Sequence, residues 1–130
     1  MDDARRTELV EACVARARVR LCASEAENHA TFWAWEAMYE LVREDPEAAW
    51  PVIRDVIARC DDDWMLASVA AGDLEDLLVQ HGPAFIDRVT AHAAASPRFL
   101  RALVGVWGRD TMTPDVASRL DALVHGQPPL

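Results

Sequence analysis

The sequence predicts an all-α protein, and three observations carry that prediction. Apolar residues recur at the three-and-four spacing of a helical face through nearly every segment. Good N-caps followed by proline punctuate the chain at Asp45-Pro46, Ser96-Pro97 and Thr113-Pro114. No alternating β-branched run bounded by hairpin turns competes with them. Together they predict a compact bundle of about seven to eight helices packed as antiparallel hairpins. Starts near residues 46, 62, 73, 83 and 97 are close to evenly spaced, as in a HEAT-like array. No residue-level repeat separates that arrangement from a globular bundle. At 130 residues the chain fits one domain, expected over 1–125 with a fraying tail at 126–130.

Leu9, Val10, Cys13, Val14, Ala17 and Leu21 line one face of a first helix. Ser24 and Glu27 have the spacing of a capping box and open a second. That helix, through Phe32, Trp33, Trp35, Met38, Tyr39, Leu41 and Val42, is apolar around so much of its circumference that it is expected to be the most buried, at the centre of the fold. Asp45-Pro46 starts a third helix carrying Trp50, Val52, Ile53, Val56, Ile57 and Cys60, with a kink or delayed start at Pro51. Asp61, Asp62 and Asp63 supply caps for a fourth; the triplet lacks the alternation and distal Glu of a calcium loop. Gly72 is expected to stop that helix, Asp73 to cap a short fifth one carrying Leu74, Leu77 and Leu78, and Gly82 to end it. Pro83, Pro97 and Pro114 then open three more, with Phe85, Ile86, Val89, Phe99, Leu100, Leu103, Val104, Trp107, Val116, Leu120 and Leu123 inward.

Charge is unevenly spread. Residues 1–23 carry five Arg against four acids, 24–87 three Arg against fifteen, and 88–130 five against three, within a net charge of -9. An acidic middle repels phosphate backbones and steers a basic protein partner inward, or simply keeps a face solvated. Nucleic-acid binding is therefore disfavoured, and no apolar run is long enough for a membrane span. The N-terminus shows no secretory pattern, so a cytoplasmic location is expected. Cys13, Cys22 and Cys60 are odd in number and widely spaced, which predicts reduced structural thiols. Arg without any Lys, with abundant Ala, suggests a GC-rich bacterial genome.

Several segments carry a resemblance. Trp33-Ala34-Trp35 through Tyr39-Glu40-Leu41-Val42, Asp45-Pro46-Glu47-Ala48-Ala49-Trp50, Ala70-Ala71-Gly72-Asp73-Leu74-Glu75-Asp76-Leu77-Leu78, His81-Gly82, Phe85-Ile86, Pro97-Arg98-Phe99 and Val106-Trp107 together resemble a small bacterial helical family of unknown function, over roughly residues 30–109. The resemblance implies a bacterial origin and a helical fold and little about activity, although an immunity or other partner-binding role fits some proteins of this kind. The first and last helices lie outside it.

Candidate chemistry concentrates at residues 73–81. Asp73, Glu75 and Asp76 suit the first turn of a helix, where carboxylates meet free N–H groups and the positive end of the dipole. The functional reading points Glu75 or Asp76 into a cleft with His81, walled by Trp64 or Trp107, able to hold an arginine or ammonium group. Trp33 and Trp35 lie some 200° apart at 100° per residue, so one of them is expected at a groove or interface. Trp50 and Trp107 are expected in the core. Glu25-His29 and Glu36-Glu40 share helix faces, yet no three metal ligands converge and the Glu-x-x-His pattern of di-metal bundles is missing. No Ser-His-Asp or phosphate-loop arrangement occurs, and no catalytic residue is assigned. The expectation is a non-enzymatic protein, without metal or cofactor, that binds a basic partner protein as an immunity or regulatory factor through Glu75, Asp76, His81, Trp33, Trp35, Tyr39 and Trp64. The alternatives are a small helical enzyme or small-molecule binder using a cleft of Trp and carboxylates, and a homo-oligomer joined through Trp35.

Overall fold

A computed structural model describes residues 1–19 and 24–130. The inward placement of Leu21 and the state of Cys22 lie outside the described residues. The described chain is helical, without a strand: α1 (Asp3–Arg18), α2 (Glu25–Glu44), α3 (Pro46–Ala58), α4 (Asp63–Val69), α5 (Glu75–Ala95), α6 (Pro97–Val104) and α7 (Pro114–Val124). A π-helical turn, Ala70–Leu74, runs α4 into α5 without a gap, and a short 3-10 turn, Arg109–Thr111, precedes α7. The described residues thus make six separate helical rods, fewer than the seven to eight expected.

The caps account for most of the starts. Side-chain oxygens of Ser24, Asp45, Asp62, Ser96 and Thr113 accept from backbone N–H groups of Glu27, Ala48, Met65, Phe99 and Val116 at 3.1, 3.2, 2.9, 3.2 and 3.4 Å. α3 starts at Pro46 with no delay and continues through Pro51. The expected break at Gly72 does not occur. A glycine stop needs a left-handed backbone, which the described chain adopts only at Gly108 and Gly126. Small residues at 70–72 instead let the helix widen, with the Glu75 N–H reaching back five residues to the Ala70 carbonyl, and Asp73 caps nothing. The second break is partly real. His81 leaves helical geometry at φ -133°, ψ 20°, bending α5 just before Pro83. Gly82 serves close packing here, because a Cβ at this position would lie 3.0 Å from both methyls of Val116 on α7.

α1, α2 and α3 pack on one another, as do α5, α6 and α7; α3 and α4 both lean on α6 and join the two groups. Trp50 of α3 sits at that junction, its ring 6.1 Å from Phe85 and 5.7 Å edge-on to Phe99. This places the centre of the fold where α3 meets α5 and α6. α2 is peripheral, contrary to expectation: its buried residues are Ala34, Met38 and Val42, while Phe32, Trp35 and Tyr39 point outward. Its inward stripe is narrow and built from modest side chains, so the large aromatics fall on the far side. Trp107, expected in the core, is 73% exposed, because α6 ends at Gly105 and the turn beyond it buries Val106 instead.

The uneven charge interlocks in three dimensions. Arg6 and Arg18 of α1 reach Asp55 and Asp61, while Arg88 and Arg101 reach Glu47 and Asp63. The basic ends of the chain thus neutralise part of its acidic middle. The end of the chain is tied to α6, the Arg101 guanidinium donating to the carbonyls of Pro128 and Pro129.

Candidate functional site

The π turn opens a cleft of about 410 Å³ between α1, α2 and the α4–α5 rod. Cys13 and Arg16 come from α1, Trp35, Met38 and Tyr39 from α2, Ser68 from α4, Gly72 and Asp73 from the π turn, and Asp76 from α5. The extra residue of a π turn shifts the side chains beyond it around the helix axis, and such turns recur at functional sites. Asp73 and Asp76, three apart, accordingly share a face of the rod toward the cleft.

Burial, the Asp76 charge beside it and a weaker opposing pull from Arg16 push the Asp73 carboxyl up to about 7. Asp76 is raised as well, by burial and by Glu75. Neither carboxylate makes a hydrogen bond or an ion pair among the described residues. Opposite them the Arg16 guanidinium lies 5.8 Å from the Phe32 ring centre, with its Nη1 buried and unpartnered. Burial and Asp73 together push the Cys13 thiol up to about 12, so it stays protonated and is no nucleophile at neutral pH.

Above the cleft α2 presents a ladder of rings. Phe32 stacks on Trp35 at 5.5 Å and Trp35 on Tyr39 at 5.6 Å, with interplanar angles of 18° and 16°. Their three- and four-residue spacing aligns them on one face. Arg16 closes one end, and Arg43 closes the other at 5.3 Å from Tyr39. The three rings are 45%, 49% and 45% exposed, a contiguous apolar stripe that nothing in the described chain covers. Glu36 and Glu40 alternate with them on the exposed surface, and neither forms an ion pair among the described residues.

Of the residues singled out in the sequence, the cleft gathers Trp35, Tyr39 and Asp76. The other four stand elsewhere. Glu75 turns away to accept the Trp107 backbone N–H at 2.7 Å, fixing the turn after α6. His81 donates through Nε2 to the Val42 carbonyl at 2.7 Å. That carbonyl would ordinarily pair with the N–H of residue 46, which is proline, so His81 supplies the missing donor. Trp33 is half-buried beneath the Arg5 guanidinium at 4.6 Å. Trp64 is exposed on α4, away from the cleft lining. Sequence reasoning missed Asp73 as a cleft residue and Arg16 altogether. It read Asp73 as a cap because glycine before aspartate is a normal helix start, and only the continuous π turn reassigns it.

No curated protein and no solved structure matches the chain. A family model does, described as a family of unknown function (DUF6869), over residues 22–127. The matched region is wider than the segment 30–109 and takes in α7. The chain therefore belongs to this helical family of unknown function.

Proposed function

We propose that the protein works by binding a basic partner protein, as an immunity or regulatory factor does, with the outer face of α2 as the contact surface. The observation that carries this reading is the stacked, half-exposed Phe32–Trp35–Tyr39 ladder interleaved with Glu36 and Glu40. Rigid aromatic rings supply binding area at low entropic cost, and uncommitted carboxylates select for positive charge. Internal ion pairs take up Asp55, Asp61, Glu47, Asp63 and Asp87, whereas Glu36 and Glu40 beside the ladder stand outside every ion pair among the described residues.

The test is affinity capture with the tagged protein beside its Trp35→Ala/Tyr39→Ala variant, at about 50 mM and about 500 mM salt. A basic protein held by the wild type at low salt, and lost both at high salt and on the variant, is the expected result. Identical capture by both proteins, or none by either, would overturn the reading.

A further inference from the structure

We propose that the cleft between α1, α2 and the π turn is a socket for one cationic side chain, a guanidinium or primary ammonium group, held by Asp73 and Asp76 against the rings of Trp35 and Tyr39. This deepens the partner-binding reading and rests on it for the source of that side chain.

Four observations converge. The cleft, about 410 Å³, is ample for a single long side chain. Its polar end carries two half-buried carboxylates that make no hydrogen bond within the described chain and open to the water of the cleft, where a cation can reach them. Its rim is aromatic, and because stacking and Arg43 already occupy the faces of Trp35 and Tyr39, these rings supply apolar contact to the aliphatic stem of the guest. Charge-assisted hydrogen bonds to paired carboxylates are the strong, geometry-specific kind. Above the Asp73 titration the cleft carries two carboxylates against the single Arg16, so a guest of charge +1 balances it.

Gly72 provides a steric handle. It lines the cleft, and a Cβ added there meets nothing within 4 Å. A larger side chain at that position therefore starts in open space beside the socket, and Gly72→Leu is expected to take up part of it.

Binding should also respond to pH. The titratable or charged groups lining the cleft with Asp73 are Cys13 and Arg16 on α1, Tyr39 on α2 and Asp76 on α5; α3 contributes the apolar Val56 and α4 the uncharged Ser68 and Val69. Cys13 stays a thiol, so Asp73, whose carboxyl sits near 7, is the group that changes state around neutrality. A cationic guest needs it ionised, so affinity should fall as pH drops from 8 to 6.

The experiment titrates the whole protein with N-acetyl-arginine methylamide, and in parallel with its neutral isostere N-acetyl-citrulline methylamide, following the Trp35 indole N–H by NMR. The expected result is a saturable shift with the arginine probe alone, at least about 10-fold weaker in Gly72→Leu and in Asp73→Asn/Asp76→Asn, and weaker at pH 6 than at pH 8. Equal response to both probes, no response up to about 50 mM, or undiminished binding by Gly72→Leu would overturn the socket. A protein partner that depends on Trp35 and Tyr39 yet tolerates Gly72→Leu would remove the socket and keep the partner reading. A probe that binds the socket, with no partner captured by the α2 face, would do the reverse.

Discussion

Replacing Asp73 by Asn should stabilise the protein at pH 8. In the folded chain the Asp73 carboxyl holds its proton to about pH 7, whereas the ordinary value is 3.8. Between those values the folded state binds more protons than the unfolded one, so stability falls as pH rises through this window and is level above it. Moving a carboxyl from 3.8 to about 7 corresponds to about 4 kcal/mol, the ceiling of the effect. The cleft is open to water, and screening there lowers the expected gain to about 1–2 kcal/mol. Asn keeps the shape of the protonated acid and carries no charge to desolvate. Urea unfolding of both proteins at pH 5 and pH 8 reads the effect directly. Asp73→Asn should gain about 1–2 kcal/mol at pH 8 and less at pH 5, where the unfolded carboxyl is already largely ionised, and lose the part of the pH slope that the wild type owes to Asp73. Taking the difference between the two proteins cancels the opposing contribution of His92, whose depressed value weakens the fold toward acid pH in both. An Asn variant less stable at pH 8, or one with the wild-type pH slope, would refute the reasoning.

His81→Ala should cost about 1–3 kcal/mol in chemical unfolding, because the Val42 carbonyl then has neither a histidine nor a Pro46 N–H to bond. Trp35→Ala should cost less than about 1 kcal/mol, while Trp50→Ala, which removes the ring packed on Phe85 and Phe99, should cost about 3–5 kcal/mol; thermal melts of the two compare them. Gly82→Ala should destabilise by about 1–3 kcal/mol by pushing against Val116, visible as a lower urea midpoint with an unchanged slope. Cys13 in the folded protein should resist iodoacetamide at pH 8, with mass spectrometry finding it alkylated only after denaturation.

Local signals in the sequence located the helix starts, because a cap and a proline act within one turn. Ser24, Asp45, Ser96 and Thr113 all cap where their spacing indicated, and Asp62 is the one of the three consecutive aspartates that caps. What the sequence left hidden depends on contacts far along the chain. Gly72 has the local look of a helix stop, but whether a glycine turns left-handed or lets the helix widen is decided by what packs around it. The apolar circumference of α2 read as burial, yet the same pattern serves a peripheral helix that buries Ala34, Met38 and Val42 and shows its rings outward. The prediction that Trp33 and Trp35 cannot share one narrow core was sound, since it follows from helix geometry alone, and Trp35 is the one that emerges. Within the candidate site, Asp76 was legible as a carboxylate in a cleft and Trp35 as a ring at a groove, but the walls expected for the cation, Trp64 and Trp107, lie outside the cleft lining. His81 and Glu75 were not separable from Asp76, because their partners, the Val42 carbonyl and the Trp107 N–H, lie 39 and 32 residues away.

The most direct test of the α2 face as a contact surface is site-specific photo-crosslinking in living cells. A photo-reactive amino acid placed at Glu36, between Trp35 and Tyr39, should give a discrete adduct with a basic protein. The same group at Asp87, exposed on α5, should give none. No adduct at position 36, or the same adducts from both positions, would contradict the account.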